Sequence, residues 1–137
     1  MIGVDTNVIV RLLVADDLKQ ADAATRYLKA HCSSEDPALL SDIVLAETAW
    51  VLEDFYEYSR AQIAAAMEGL LATAQLKAGN AAVNVALQRF RSSAADFADC
   101  LIGVTNVEAG CEYTATFDRK ASRLAEFKLI AAVGSTQ

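Results

Sequence analysis

Short apolar segments alternate with helical segments along the whole chain, and this alternation constrains the fold more than any other feature. Five segments are predicted as short strands: Met1–Val4, Leu39-Leu40, Leu76, Cys111–Thr116 and Lys128–Ala132. Between them lie longer segments with apolar residues at helical spacing. The pattern predicts a three-layer α/β domain in which helices flank a mainly parallel central sheet. At 137 residues we expect one domain, spanning residues 1–137.

Composition excludes several classes of protein. Hydrophobic residues make up 54% of the chain, which excludes intrinsic disorder. No apolar run approaches the length of a membrane span, and the N-terminus has no basic leader, so we expect neither a membrane segment nor a secretory signal. Three cysteines cannot all pair within one chain and show no zinc-binding spacing, so we expect reduced thiols and a cytoplasmic protein. The net charge is −6, so any attraction for nucleic acid needs local basic residues or a bound cation.

Two aspartates follow predicted strands. Asp5 ends the first apolar segment, and Asp118 comes just after the segment that ends at Thr116. Functional groups in parallel α/β sheets collect at the carboxyl ends of strands. Aspartate is also a common turn and helix-cap residue, so this placement has a second explanation for each.

Two further acids fall within apolar helical segments. Glu47 lies on or beside a predicted inward stripe of Ile43, Ala46 and Trp50, and Asp99 lies early in the helix predicted from Asp96. Burying a carboxylate without a partner costs several kcal/mol, yet no basic residue lies nearby in sequence. There is none between residues 29 and 60, and none between residues 91 and 119.

Acids brought together without a cation repel one another, and their pKa values rise. A set of Asp and Glu ligands without His or Cys is an all-oxygen site, which suits Mg²⁺ or Mn²⁺ better than zinc. Such ions commonly assist the hydrolysis of phosphate esters. The residues therefore predict a metal-assisted hydrolase.

Four segments, in order, resemble the acidic motifs of PIN-domain nucleases. They are Ile2-Gly3-Val4-Asp5-Thr6-Asn7-Val8-Ile9, then Leu45-Ala46-Glu47, then Asp96-Phe97-Ala98-Asp99-Cys100-Leu101-Ile102, and finally Thr114-Ala115-Thr116-Phe117-Asp118-Arg119. The resemblance covers nearly the whole chain and implies a single PIN-like domain. The compact size is most similar to the VapC-like toxins of toxin–antitoxin pairs.

The resemblance implies roles for individual residues. The catalytic and metal-binding acids are Asp5, Glu47, Asp99 and Asp118, and they would hold one or two Mg²⁺ or Mn²⁺ ions for hydrolysis of RNA. Polar neighbours that would orient these carboxylates or bound water are Thr6, Asn7 and Thr116. Asp96 is either an auxiliary acid or the N-cap of its helix. Candidates for contacts with flanking phosphates are Arg119, Lys120, Arg123 and Arg11, and the first three also fit an exposed, solvated helix.

The resemblance also implies partners: an RNA substrate, a small cognate antitoxin and a second copy of the chain in a homodimer. Trp50, Phe55, Tyr56 and Tyr58 are candidates for the antitoxin groove or the dimer interface, with core packing as the alternative for Trp50 and Phe55.

Three alternatives stay open at this point. The first is a PIN-like module that binds RNA or protein without catalysis. The second is a haloacid-dehalogenase-type phosphatase, which needs an aspartate where this chain has Asn7. The third is a response-regulator receiver, but Asp16-Asp17 follows a helix instead of a strand.

Overall fold

The computed structural model describes residues 1–132. The elements in chain order are α1 (Thr6–Leu13), α2 (Leu18–His31), β1 (Ala38–Leu40), α3 (Asp42–Asp54), α4 (Arg60–Leu71), β2 (Leu76–Ala78), α5 (Ala82–Arg91), α6 (Phe97–Glu108), β3 (Thr114–Thr116), α7 (Arg119–Ser122) and β4 (Phe127–Leu129). Contacts divide the chain into two compact units, Met1–Asn80 and the segment from Ala81 onward. The prediction of one domain over residues 1–137 stays a prediction, and its last five residues lie outside the described part.

Parallel strand pairs form the sheet structure of each unit, so the predicted α/β class is confirmed. In the first unit β1 pairs with β2, and Gly3 forms a further parallel bridge with Leu39. In the second unit β3 pairs with β4, with Thr114 opposite Phe127. The predicted first strand, Met1–Val4, is reduced to that single bridge.

Side-chain caps define where the helices of the first unit begin. The side chain of Asp17 accepts from the backbone of Gln20 at the start of α2, and that of Ser41 accepts from Val44 at the start of α3. Ser59 and Gln62 form a reciprocal capping box on α4. These bonds satisfy N–H groups that have no partner within the helix.

Helix α3 buries a different face from the predicted one. Its buried residues are Val44, Leu45, Thr48, Ala49 and Leu52. Ile43 and Trp50 from the predicted inward stripe are exposed, and so is Glu47. The helix is apolar on most of its circumference, so periodicity alone could not identify the packed face. Glu47 is therefore not a buried carboxylate, and its predicted place on or beside an inward stripe is wrong.

The second unit is built around the packing of α5 against α6. Phe90 of α5 and Phe97 of α6 meet edge to face with ring centroids 5.9 Å apart. Gly110 follows the C-cap of α6, Ala109, and has a φ of 104°, a conformation that glycine adopts without strain. The predicted buried strand Cys111–Thr116 is wrong in extent and burial, because only Thr114–Thr116 pair and Cys111 and Tyr113 are exposed.

Candidate metal centre

Asp5 and Glu47 line one cavity of the first unit, together with Thr6 and Asn7. Asp5 is the N-cap of α1, and its Oδ1 accepts from the backbone N–H of Thr6 at 2.8 Å. The hydroxyl of Thr6 donates to Glu47 Oε1 at 3.1 Å, linking α1 to α3 across 41 residues of sequence. Thr6 therefore holds the Glu47 carboxylate beside the start of α1.

Asp118 occupies an equivalent position at the start of α7 in the second unit. Its Oδ1 accepts from the backbone N–H of Ala121 at 2.9 Å, and its own N–H donates to Thr116 Oγ1 at 3.0 Å. Asp5 and Asp118 are thus both N-caps with one carboxylate oxygen fixed by a backbone N–H. The second oxygen of each has no hydrogen-bond partner within residues 1–132, so it is available to a ligand.

Asp99 lies in the first turn of α6 and is half-buried. Burial raises the pKa of its carboxyl, and the negative charges of Asp118 and then Asp96 raise that pKa further. Asp96 is the N-cap residue of α6 by backbone position, but its side chain makes no capping hydrogen bond. Asp96 therefore contributes negative charge to this region without performing the side-chain role of a cap.

The donor set fits a hard divalent cation, because it consists of carboxylate oxygens. Within the described residues, none of the four acids forms an ion pair with a basic side chain. A bound cation would favour the charged form of Asp99 and so offset the burial and the repulsion that together raise the pKa of its carboxyl. In residues 1–132 no three His, Cys, Asp or Glu side chains form a group that could hold a metal ion. Joint metal binding by the four acids therefore stays a prediction.

Arg11 is anchored by contacts that were not predicted from the sequence. Its Nη1 donates to Asp16 Oδ1 at 2.9 Å, and its Nε donates to Gln20 Oε1 at 2.6 Å. Tyr56 donates its hydroxyl to Asp16 Oδ2 at 2.7 Å, and Arg11 Nη1 lies 3.4 Å from that hydroxyl. Tyr56 is 40 residues from Asp16, so no local sequence signal could have linked them.

The predicted phosphate-contacting residues of the second unit are exposed. Arg119 and Lys120 lie on α7, and Arg123 is its C-cap. Within residues 1–132 none of them forms an ion pair. Their positive charges therefore face solvent just after Asp118.

Comparison with known proteins places this chain in a family. The sequence matches the PIN domain family over residues 2–127, and the match crosses from the first unit into the second. Neither the curated proteins nor the solved structures compared with it gave a significant match. The chain belongs to the PIN domain family, whose members are generally metal-dependent nucleases. No helix of residues 1–132 has both the length and the apolar character of a membrane span.

Proposed function

We propose that this chain is a Mg²⁺- or Mn²⁺-dependent endoribonuclease that hydrolyses RNA phosphodiester bonds. The observation that carries the proposal is that four acids of this PIN domain chain are held in place or partly buried without a basic partner in the part that the structure describes. Asp5, Glu47 and Asp118 are held by hydrogen bonds, Asp99 is half-buried, and within residues 1–132 no basic side chain pairs with any of them. Asp99 carries the energetic part of this support, because burial and then the charges of Asp118 and Asp96 raise the pKa of its carboxyl, and perturbed acids of this kind are typical of catalytic sites.

In this proposal Asp5, Glu47, Asp99 and Asp118 bind the ion, with Asp96 as an auxiliary acid. The ion, when bound, polarises the phosphate and lowers the pKa of the attacking water. Thr6 fixes Glu47, Thr116 fixes the backbone of Asp118, and Asn7 lines the cavity that contains Asp5. Thr6 thus orients the Glu47 carboxylate before substrate arrives, and Thr116 positions the backbone that carries Asp118, so reorganisation at these two acids costs little during the reaction.

Positive charge in the proposal comes from the exposed side chains of Arg119, Lys120 and Arg123. Three cations next to Asp118 favour binding of phosphates that flank the cleaved bond. They supply the local attraction that a chain of net charge −6 lacks overall.

We further propose that the chain is the toxin of a toxin–antitoxin pair in the cytoplasm, held as a homodimer and bound by a small antitoxin. Support comes from two large apolar residues of α3, Ile43 and Trp50, which are exposed. Exposed aromatic residues are enriched in surfaces that contact a protein. The toxin proposal is finer than the nuclease proposal and can fail without it.

The decisive experiment compares the wild-type chain with Asp99→Asn in RNA cleavage. We expect Mn²⁺-dependent cleavage by the wild type, loss of cleavage with EDTA, and recovery when Mn²⁺ is restored in excess. Asp99→Asn should lower the cleavage rate by at least about a hundredfold, as loss of a transition-state electrostatic group typically does. The matched control is Glu108→Gln, which changes an exposed acid at the other end of α6.

Cleavage that survives full chelation would contradict the metal mechanism, and full activity of Asp99→Asn would remove that residue from the ligand set. RNA binding without cleavage by the wild type would favour the inactive module. Expression in cells tests the toxin proposal: growth arrest with discrete new RNA ends should occur for the wild type and be absent for Asp99→Asn. Unimpaired growth beside normal cleavage in vitro would contradict the toxin role alone.

A further inference from the structure

Two cavities of the first unit share a wall made by Asp5, Asn7 and Arg11. One has a volume of about 410 Å³ and also contains Phe55, so we call it the Phe55 cavity. The other has a volume of about 450 Å³ and also contains Tyr27, so we call it the Tyr27 cavity. Both volumes fall within the range of pockets that bind small organic groups, roughly 300–1,000 Å³. The proposed metal ligand Asp5 thus contacts both spaces.

Each cavity has one exposed aromatic ring. Phe55 is 74% exposed and Tyr27 is 55% exposed. A second ring packs against each of them. The Tyr56 ring meets the Phe55 ring edge to face with centroids 5.0 Å apart, and the centroids of the His31 and Tyr27 rings are 4.2 Å apart. Exposed rings that are held in place are the surfaces on which unpaired bases of RNA stack.

The shared wall contains a guanidinium group that is held in place, that of Arg11, which forms an ion pair with Asp16 at 2.9 Å. Asp16 and Gln20 hold the Arg11 guanidinium, and its Nη2 makes no hydrogen bond within residues 1–132. That nitrogen can donate to a phosphate oxygen without breaking the existing contacts. A phosphate at this wall would adjoin both cavities, and each is large enough for a base.

We propose that the Phe55 cavity and the Tyr27 cavity bind the two nucleosides that flank the phosphodiester to be cut, in single-stranded RNA. Phe55 and Tyr27 each stack on one base, and Arg11 contacts the phosphate between them. The inference rests on the proposed ribonuclease function and names its substrate form. RNA is favoured over a protein partner because the wall common to both cavities is polar and charged, whereas a docked helix needs a continuous apolar groove.

Binding is measured first, with the full chain in Ca²⁺ and a fluorescently labelled oligouridylate. Phe55→Ala and Tyr27→Ala should each weaken the RNA affinity about tenfold, the size expected for loss of one base stack. Tyr113→Ala is the matched control, because Tyr113 is an exposed aromatic that lines neither cavity. Circular dichroism should stay unchanged, since both tested rings are largely exposed.

Cleavage assays then assign each cavity to the nucleoside on one side of the cleaved bond. Oligonucleotides with an abasic site on either side of a mapped cut should lower kcat/KM of the wild type about tenfold. Phe55→Ala should remove the sensitivity on one side and Tyr27→Ala the sensitivity on the other.

The outcomes separate this inference from the ribonuclease proposal. RNA binding that depends on both rings, without cleavage, would overturn the ribonuclease proposal and support the two cavities as nucleoside sites. Suppose that the wild type cleaves RNA, and that Phe55→Ala and Tyr27→Ala keep the wild-type RNA affinity and the wild-type sensitivity to abasic sites. That result would overturn the two cavities as nucleoside sites and leave the ribonuclease proposal intact. If either variant changes the oligomeric mass of the chain and leaves its RNA affinity unchanged, the ring contacts protein, and the assignment of the cavities to nucleosides is overturned.

Discussion

Asp99 is held in a state that costs stability when no cation is present. Folding raises the pKa of its carboxyl through burial and the charges of Asp118 and Asp96. The folded chain therefore binds a proton at the Asp99 carboxyl more tightly than the unfolded chain does. Stability from this group is complete below the ordinary aspartate pKa of about 3.9 and is lost as the pH rises through the raised value.

We predict that Asp99→Asn raises the melting temperature of the metal-free chain at neutral pH. The gain should disappear in acid, below the ordinary aspartate pKa, where both side chains are neutral. Thermal unfolding in EDTA across a pH series measures this difference, and Glu108→Gln serves again as the control. A gain that is independent of pH would mean that the negative charge of the Asp99 carboxylate is not its cause.

A second prediction concerns the contact between Tyr56 and Asp16. The hydrogen bond from Tyr56 lowers the pKa of Asp16, and the charge of Arg11 lowers it further. Tyr56→Phe should raise that pKa towards its ordinary range, with part of the depression kept because Arg11 stays nearby. NMR titration of the Asp16 carboxyl measures the change. Tyr58→Phe is the control, because the Tyr58 hydroxyl has no hydrogen bond within residues 1–132, and an equal shift in both variants would contradict the prediction.

Helix ends were predictable from the sequence because capping is local chemistry. Asp17, Ser41 and Ser59 are small polar residues that can accept from N–H groups two or three positions later, and Gly110 can adopt a positive φ. The packed face of α3 was not predictable. Val44 and Leu45 are no more apolar than Ile43, so tertiary contacts decide which side is buried.

The candidate site also has a part that could be predicted from local sequence and a part that could not. The positions of Asp5 and Asp118 after apolar segments pointed to them, and both occupy N-caps. The hydrogen bond from Thr6 to Glu47 and the anchoring of Arg11 join residues that are distant in sequence. Such contacts depend on how helices pack, which neither periodicity nor composition encodes.

Two helical glycines give a matched pair of predictions at the level of elements. A Cβ at Gly103 of α6 would overlap the Phe127 ring and lie 3.1 Å from Glu126 Cβ, whereas a Cβ at Gly69 of α4 meets no atom within 4 Å. Gly103→Ala should lower the free energy of unfolding by about 1–3 kcal/mol through overpacking. Gly69→Ala should raise it by up to about 1 kcal/mol, because alanine favours helix. Denaturant unfolding checks both, and equal effects of the two would contradict the packing argument.

At the scale of the whole molecule, binding of the proposed ion can be tested separately at an acid of the first unit and at an acid of the second. Mn²⁺ at ten times its dissociation constant should stabilise the wild type by about 1.4 kcal/mol. Asp5→Asn in the first unit and Asp99→Asn in the second should each remove most of that gain. Thermal unfolding with and without Mn²⁺ tests this, with Asp22→Asn, an exposed acid paired with Arg26, as the control. A gain retained in either variant would exclude its residue as a ligand.

Trp50 is the only tryptophan of the chain, and 63% of its side chain is exposed on the outer face of α3. Its indole therefore emits in a watery environment, and the emission shifts to shorter wavelength when another molecule covers that face. The native chain thus contains its own optical reporter for the proposed association with an antitoxin or with a second copy of the chain. Titration followed by intrinsic fluorescence can measure such an association without any label.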